Sequence, residues 1–317
     1  MMGPPFDVIT MGRIGVDFYP LEKGSIVNVN LFEKFLGGSP TNVAVAAARL
    51  GHTSAVISRT GDDPLGQFVH AALRRYSVDD RYVLDVPGLQ TPVTFCELFP
   101  PDNFPIYFYR RPTAPDSEIH YDELDFNEIA RARLFWTSAS GLSVEPSRGA
   151  TRAALKCRER RHPTVLDLDY RPNFWSSRDD ARQQVRLALA MSTIAIGNLH
   201  EVDVAVDSSD PDVAADRLLE LGLTIAVVKL GPDGVLAKTP SERIEVPPVI
   251  VDVVNGLGAG DGFGGAFCHG VLAGWTLLDT IRFANAAGAI VASRLACSDA
   301  MPTTEEIENL VRKVSRA

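Results

Sequence analysis

A glycine-rich segment near the C-terminus carries the sharpest chemical signal in the sequence. It spans residues 255–267, follows the apolar, β-branched run 246–254 and opens a helix of small residues. Glycines at a helix N-terminus let backbone N–H groups approach an anion, and the helix dipole stabilises the charge. Asp261, within this segment, would repel a bound phosphate, but it can accept a proton from a hydroxyl that attacks a phosphoryl group. The segment therefore predicts phosphoryl transfer with Asp261 as the general base.

Two other interpretations of this segment stay open. Residues 260–265 match GxGxxG, the dinucleotide fingerprint, but the acid expected about 20 residues later would be Asp279, which lies at a predicted helix start instead of a strand end. The second alternative is that the glycines serve only close helix packing. The sequence has no GxxxxGK[ST] segment, which argues against a P-loop kinase.

Composition excludes several function classes. Asp and Glu number 40 against 31 Lys and Arg, and the net charge of −9 argues against a nucleic-acid partner. The four cysteines form no CxxC pair, so we expect neither a disulfide framework nor a Cys-rich zinc site. No stretch approaches the roughly 20 apolar residues that span a bilayer, and the N-terminus lacks signal-peptide features. We therefore expect a cytoplasmic enzyme without a membrane partner.

The elements that must position this chemistry alternate between short apolar runs and helical patterns. Several runs are apolar on both faces, as buried parallel strands are. The alternation predicts an α/β fold, a doubly wound and mostly parallel sheet with helices on both faces, in a single domain over residues 1–317. The predicted strands are 8–11, 55–59, 134–138, 164–169, 193–197 and 225–230, and the predicted helices are 42–50, 67–76, 181–191, 211–221, 262–273, 279–294 and 303–314.

Two regions break the alternation. Residues 26–36 are predicted to form a strand, and residues 91–99 and 106–111 two strands joined by a proline-rich turn. Parallel crossovers need a dozen or more residues, so these strands predict a small β lid, about residues 18–36 and 91–111, inserted beside the main sheet. The aromatic stripe of the last strand also suits a homodimer contact between two lids.

Six motifs in chain order resemble those of the ribokinase/PfkB carbohydrate kinases. They are GRIGVD at 12–17, GGSPTN at 37–42, GDDPLG at 61–66, NLHE at 198–201, KLGPDG at 229–234 and GAGDGF at 258–263. The resemblance covers nearly the whole chain. It implies a ribokinase-like fold and a sugar kinase that uses ATP and Mg²⁺. In such a kinase, Asp261 deprotonates the acceptor hydroxyl, and the backbone of Gly258, Ala259 and Gly260 stabilises the developing charge.

The resemblance also implies roles for further residues. Those that would hold the sugar are Asp17, Gly37, Gly38 and Asn42, those that would contact the nucleotide are Asn198, Lys229, Gly231, Gly234 and Asn285, and Glu201 would order Mg²⁺ through water. Simpler alternatives are a turn or N-cap position for Asp17, an N-cap for Asn42 and an exposed helix position for Glu201. The family's usual DTT before GAGD is replaced by Asn255, Gly256 and Leu257, and the loss of this Asp and of the Thr pair argues against the family's monovalent-cation site.

One element narrows the substrate. The sequence DLDYRPNFW at 167–175 resembles the DxNxRxxxW element of kinases that act on keto-deoxy sugar acids. Its variant form, DxDYRPxxW, is similar to the element found in the sugar-acid kinases of inositol catabolism. The resemblance therefore implies phosphorylation of the terminal hydroxyl of 5-dehydro-2-deoxy-D-gluconate. The alternatives are a 2-keto-3-deoxygluconate kinase, a fructokinase-like enzyme, or a catalytically silent sugar or nucleotide sensor.

A sugar acid brings a carboxylate that needs a cation. Arg171 ends a predicted strand, and its planar fork suits a carboxylate. An ion pair of Arg171 with Asp167 or Asp169, which share its strand parity, is the alternative. Arg110 and Arg111, at the end of a lid strand, are further candidates for the substrate contact.

Overall fold

The computed structural model describes residues 4–314. Its strands are β1 (Val8–Met11), β2 (Gly15–Pro20), β3 (Phe32–Gly37), β4 (Ser54–Gly61), β5 (Val78–Asp79), β6 (Val83–Val86), β7 (Val93–Cys96), β8 (Ile106–Tyr109), β9 (Leu134–Ser138), β10 (Thr164–Asp167), β11 (Ile194–Asn198), β12 (Ile225–Lys229), β13 (Val235–Lys238) and β14 (Arg243–Val246). Its helices are α1 (Ser39–Arg49), α2 (Pro64–Arg75), α3 (Phe126–Arg131), α4 (Ser147–Cys157), α5 (Arg178–Leu189), α6 (Leu199–Val206), α7 (Pro211–Glu220), α8 (Ala259–Ala273), α9 (Leu277–Ala292) and α10 (Thr304–Val314). Within residues 4–314, every helix is too short or too polar to traverse a bilayer.

The larger sheet is mostly parallel and, within the described residues, has ten strands. Its order is β14-β13-β12-β11-β10-β9-β1-β4-β5, with β6 paired to β4, and the antiparallel strands β13 and β14 form one edge. All five residues of β9 are buried, because helices cover both faces of the sheet. Helices α1, α8, α9 and α10 pack on one face and α3 to α7 on the other. The predicted doubly wound α/β fold is confirmed.

The smaller sheet has the order β3-β2-β7-β8 in the described part of the chain. The two predicted strands joined by a turn appear as β7 and β8, which pair antiparallel. The predicted strand 26–36 is wrong in its first half, because β3 begins only at Phe32. The amides of Asn28 and Val29 both donate to the carbonyl of Ser25, so this β-branched stretch makes a turn.

Asp17 lies well beyond the first strand. Strand β1 stops at Met11, and Gly12 follows with a φ of +140°. The chain then re-enters extended structure as β2, so that Asp17 lies inside the smaller sheet. This sheet faces the carboxyl ends of β10 to β12 across a cavity, which is the edge where open α/β sheets bind ligands.

Candidate active site

The residues singled out from the sequence surround two adjoining cavities at the carboxyl ends of β10, β11 and β12. The first, of about 420 Å³, lies between these strand ends, the start of α8 and the smaller sheet. The second, of about 400 Å³, lies between the turn after β12, the segment before α8 and one face of α9. Lys229, Gly231, Gly256 and Gly260 border both cavities. Molecules in the two cavities would therefore meet beside the N-terminus of α8.

Asp261 lies in the first turn of α8 and borders the first cavity. Ser39 Oγ donates to its Oδ1 at 2.7 Å, and Asn42 Nδ2 donates to its Oδ2 at 2.8 Å. Burial raises the pKa of Asp261 above its ordinary 3.8, although these two hydrogen bonds oppose the shift. The carboxylate is thus held in place and is more basic than an exposed one.

The start of α8 is shaped by a glycine. Gly258 has a φ of +81°, and a Cβ there would lie 2.6 Å from Cys297 Sγ, so that only glycine fits. The N–H groups of a first helical turn lack intrahelical acceptors and attract anions. The Ala259 N–H donates to Gly256 O at 3.4 Å, a long bond that a stronger acceptor would replace. Gly260 faces Lys229, whose Nζ lies 3.2 Å from where a Cβ would be.

Asn42 is not an N-cap, because α1 already begins at Ser39. Its Nδ2 reaches Asp261, and its Oδ1 accepts a hydrogen bond from Ser298 Oγ at 2.6 Å. Residues three apart share one face of a helix, so Ser39 and Asn42 approach Asp261 side by side. The sequence interpretation gave Ser39 no role. Its i, i+3 spacing to Asn42 is the signal that could have revealed it.

Three charged groups meet where β10 and β12 end and α6 begins. Burial raises the pKa of Asp167, although the Lys229 ammonium opposes the shift. Burial also disfavours the charged form of Lys229, but Asp167, Glu201 and Asp261 outweigh it and raise the pKa of this ammonium. Lys229 therefore stays positively charged at the border between the two cavities.

Asn198 and Glu201 form a capping box at the start of α6. The Glu201 N–H donates to Asn198 Oδ1 at 3.0 Å, and the Asn198 N–H donates to Glu201 Oε2 at 2.8 Å. Glu201 is only 5% exposed, so it is not a surface glutamate. Mg²⁺ keeps several waters and binds through one or two carboxylates and phosphates, which Glu201 and Asp167 fit. Among residues 4–314 no larger acidic or histidine cluster could hold a metal by itself.

The smaller sheet contributes Asp17, a further carboxylate that lines the first cavity. Tyr19 Oη donates to Asp17 Oδ2 at 3.1 Å. Burial raises the pKa of Asp17 to about 6, and the negative charge of Asp261 adds to the shift. A Cβ on Gly37 would lie 2.3 Å from this carboxylate, and a Cβ on Gly38 would lie 2.3 Å from the carbonyl oxygen of Arg13. Glycine is therefore needed at both positions.

The second cavity contains the remaining predicted residues. Lys229, Gly231, Gly234 and Asn285 all line it. Asn285 Nδ2 donates to the carbonyl of Pro247 at 2.8 Å and so ties α9 to the segment before α8. Apolar side chains of that segment complete a wall that suits a flat ring: Val249, Ile250, Val251 and Val253.

Of the predicted arginines, Arg110 and Arg171 line the first cavity, while Arg111 is exposed and lies outside it. Both Nη atoms of Arg110 donate to Asp116. Arg171 Nη2 lies 3.0 Å from Asp169 Oδ1, so the ion pair considered as an alternative does exist. It leaves Arg171 at the cavity wall, and it involves Asp169 instead of Asp167.

Comparison with known proteins decides the family. The sequence model of the pfkB family carbohydrate kinases matches residues 6–304. The chain belongs to the pfkB family of carbohydrate kinases. A 5-dehydro-2-deoxygluconokinase of Clostridium perfringens is 32% identical to this kinase over 317 residues, which cover 97% of this chain and 93% of that one. The resemblance inferred from the six motifs is confirmed.

Solved structures of sugar kinases share the fold of this pfkB kinase. An Escherichia coli protein described as a ribokinase II, in complex with ATP and Mg²⁺, has a TM-score of 0.88 at 23% identity and covers 97% of this chain and 99% of its own. Fructokinase from Vibrio cholerae, bound to fructose, ADP and calcium, has a TM-score of 0.85 at 24% identity, with coverage of 96% and 99%. The ribokinase-like fold is thereby confirmed.

Proposed function

We propose that this kinase transfers the γ-phosphoryl group of ATP to the terminal hydroxyl of 5-dehydro-2-deoxy-D-gluconate. The observation that carries the proposal is the placement of Asp261. This buried carboxylate has a raised pKa, is held by Ser39 and Asn42, and lies where the two cavities meet. The choice of sugar acid is supported by relatives that carry this substrate in their names and are about one-third identical over nearly their full length.

In the proposed reaction, Asp261 takes the proton of the acceptor hydroxyl as its oxygen attacks the γ-phosphorus. The bond from phosphorus to the bridging oxygen breaks, and ADP leaves. The N–H groups of residues 258–261 and the Lys229 ammonium stabilise the charge that develops on the transferred group. When bound, Mg²⁺ supplies charge neutralisation on the phosphates, and Glu201, oriented by Asn198, would hold it through water together with Asp167.

The two substrates would occupy separate cavities. The sugar acid lies in the first, where Asp17 accepts hydroxyl hydrogen bonds, Gly37 and Gly38 permit close approach of the backbone, and Arg110 and Arg171 border the acid end. ATP lies in the second, against Gly231, Gly234 and Asn285. The smaller sheet acts as a lid that excludes water when it closes, which favours transfer to the sugar over hydrolysis of ATP.

The lid also suits contact with a second copy of the chain. Tyr107 and Tyr109 on β8 are 42% and 61% exposed, and the ring of Tyr109 packs edge-on against Phe95 at 5.6 Å. An exposed aromatic stripe of this kind is typical of an interface. A homodimer joined through the two lids would cover it.

A coupled assay of ADP release tests the function. It uses ATP–Mg²⁺ with 5-dehydro-2-deoxygluconate, 2-keto-3-deoxygluconate, fructose, ribose and adenosine. Turnover on the first alone would support both reaction and substrate. Turnover only on another compound of this panel would support the kinase reaction but would contradict the assigned substrate. No turnover, together with ATP binding, would instead support a silent sensor.

ATP–Mg²⁺, and not NAD, is expected to raise the melting temperature, which separates a kinase from a dehydrogenase.

A further inference from the structure

The first cavity contains a charged group that the phosphoryl-transfer step does not use. Arg13 Nη2 donates to Asp169 Oδ2 at 2.6 Å, and Arg171 Nη2 lies 3.0 Å from Asp169 Oδ1. One carboxylate therefore bridges two guanidinium groups, and the trio carries one net positive charge. All three residues line the cavity.

Both guanidinium groups keep donors that the protein leaves unused. Arg13 Nε donates to Ser140 Oγ at 3.0 Å, and within residues 4–314 its Nη1 has no acceptor. Arg171 Nε is buried and has no acceptor in the described chain. Arg171 Nε is enclosed by protein, so a ligand would contact Arg171 through its Nη groups. Arg13 Nη1 is not among the enclosed atoms, so it can donate to a ligand that supplies an oxygen atom.

Two aromatic rings lie close to the guanidinium group of Arg13. Its guanidinium carbon lies 5.7 Å from the ring centre of Phe108 and 5.5 Å from that of Phe174. The N–H groups of a guanidinium lie in its plane, so it forms hydrogen bonds at its edges. Ser140 and Asp169 take up two of those edges, which leaves the Nη1 edge for a ligand.

Arg110 borders the same cavity, but its charge is already balanced. Asp116 accepts hydrogen bonds from both Nη atoms of Arg110, and its Oδ2 also accepts the Ile14 N–H at 3.0 Å. The pair of Arg110 and Asp116 is therefore neutral. The positive charge that an anionic substrate could neutralise belongs to Arg13 and Arg171.

The spacing from the general base fits an extended sugar acid. Ser39 Oγ contacts Asp261 Oδ1 at 2.7 Å and Asp167 Oδ2 at 3.5 Å, so Asp167 marks the end of the cavity where phosphoryl transfer takes place. Asp169 follows two residues later, just beyond the end of β10, and two residues of extended chain span about 7 Å. This separation is similar to the length of a six-carbon chain whose terminal hydroxyl lies at Asp261.

We propose that Arg13 and Arg171 together bind the carboxylate of the sugar-acid substrate, that Asp169 is their positioning residue, and that Arg13 determines specificity for an acid over a neutral sugar. This inference rests on the proposed function and deepens it. The new residue in this assignment is Arg13, which lies in the connection between β1 and β2. Its side chain is positioned by Ser140 and Asp169, which are distant in the sequence.

The test measures steady-state kinetics of wild type, Arg13→Gln and Arg111→Gln with 5-dehydro-2-deoxy-D-gluconate and with the neutral sugar fructose. We expect Arg13→Gln to raise KM for the acid by about 100-fold, as the loss of one partner of a desolvated charged contact does. Its kcat/KM for fructose, which is expected to be low in wild type, should change far less, so that the preference for the acid over fructose falls. Arg111→Gln, which alters an exposed arginine outside the cavity, is the matched control and should behave as wild type.

Two further measurements separate a specific loss from misfolding. Arg13→Lys keeps the charge without the fork and should recover part of the affinity for the acid, and ATP–Mg²⁺ should raise the melting temperature of each variant as it does for wild type. An unchanged KM for the acid, or equal losses on acid and fructose, would overturn the proposal while the proposed function stands.

Failure of the proposed function gives a different result. If wild type did not phosphorylate the acid, calorimetric binding of 5-dehydro-2-deoxy-D-gluconate to wild type and Arg13→Gln would decide. Binding that is lost in the variant would support the anion site. Equal binding by the two proteins, or no binding by wild type, would overturn it.

Discussion

At the scale of single residues, two buried carboxylates face one cavity under different constraints. Asp261 is held by Ser39 and Asn42, which are neutral donors, and burial therefore keeps its pKa raised. A cation in their place would make it a weaker base. Asp17 is held by Tyr19, and burial together with the charge of Asp261 raises its pKa to about 6. Within the described residues neither carboxylate forms a direct ion pair, and both keep a raised pKa.

We expect the ionised Asp17 to lower the stability of the ligand-free protein at neutral pH. Its pKa of about 6 in the folded protein exceeds the ordinary 3.8, so the folded state binds more protons between these values, and stability falls as the pH rises through this window. We expect Asp17→Asn to raise Tm by a few degrees at pH 7.5 and by less at pH 5. The same change should raise KM for the sugar, because an acceptor for its hydroxyls is lost. Thermal melting at the two pH values checks this, and a gain in Tm that does not depend on pH would contradict it.

At the scale of elements, the contact between α1 and α8 assembles the catalytic group. A Cβ on Gly265 would lie 2.2 Å from the Cβ of Ala46, so the two helices touch at this glycine. The same contact brings Ser39 and Asn42, at the start of α1, to Asp261, at the start of α8. Packing in the middle of these helices therefore sets the geometry at their ends.

Gly265→Ala should force α1 away from α8. We expect a loss of about 1–3 kcal/mol in the free energy of unfolding, as overpacking of a core causes, and a lower kcat because Asp261 loses its two donors. Gly149→Ala in α4 is the control, since its Cβ would meet only the carboxylate end of Glu145, at 3.0 Å. Urea unfolding and ADP release measure both effects. Wild-type stability and turnover in Gly265→Ala would show that the contact does not position the base.

Local sequence patterns were sufficient for the six central strands of the larger sheet but missed β5, β6, β13 and β14. The six predicted strands correspond to β1, β4, β9, β10, β11 and β12, because buried parallel strands are continuously apolar. Several helices begin about a turn earlier than predicted. Pro40 and Pro64 lie in the first turns of α1 and α2, and the side chain of Asp63 caps α2. The predicted starts came from apolar periodicity, which does not include these signals.

Contacts between residues that are distant in the sequence could not be predicted. Asp167 and Asp169 share the strand parity of Arg171, so the sequence favoured neither as its ion-pair partner. The structure shows that the partner is Asp169. Arg13 lies 127 residues from Ser140 and 156 from Asp169, so no local pattern could join them. The predicted catalytic group, by contrast, sits on contiguous glycine-rich motifs whose spacing is itself the signal.

At the scale of the whole molecule, the exposed aromatic face of the lid predicts assembly. We expect the 34.4 kDa chain to sediment as a dimer, and Tyr109→Asp, which places a charge in the interface, to sediment as a monomer. Tyr121→Asp is the control, because Tyr121 is 64% exposed and lies outside the lid. Sedimentation velocity at micromolar concentration distinguishes the species. A wild-type monomer, or a dimer that persists in Tyr109→Asp, would rule out this interface.

The most direct test of Asp261 as the base of a sugar-acid kinase is the turnover of Asp261→Asn. ADP release with 5-dehydro-2-deoxy-D-gluconate and ATP–Mg²⁺ is measured beside wild type. Because a positioned base contributes about 10²–10⁴-fold, we predict a fall in kcat of that size. The shift in Tm on addition of ATP–Mg²⁺ should be kept, since the second cavity is unchanged. Turnover of Asp261→Asn close to that of wild type would contradict the assignment of the base.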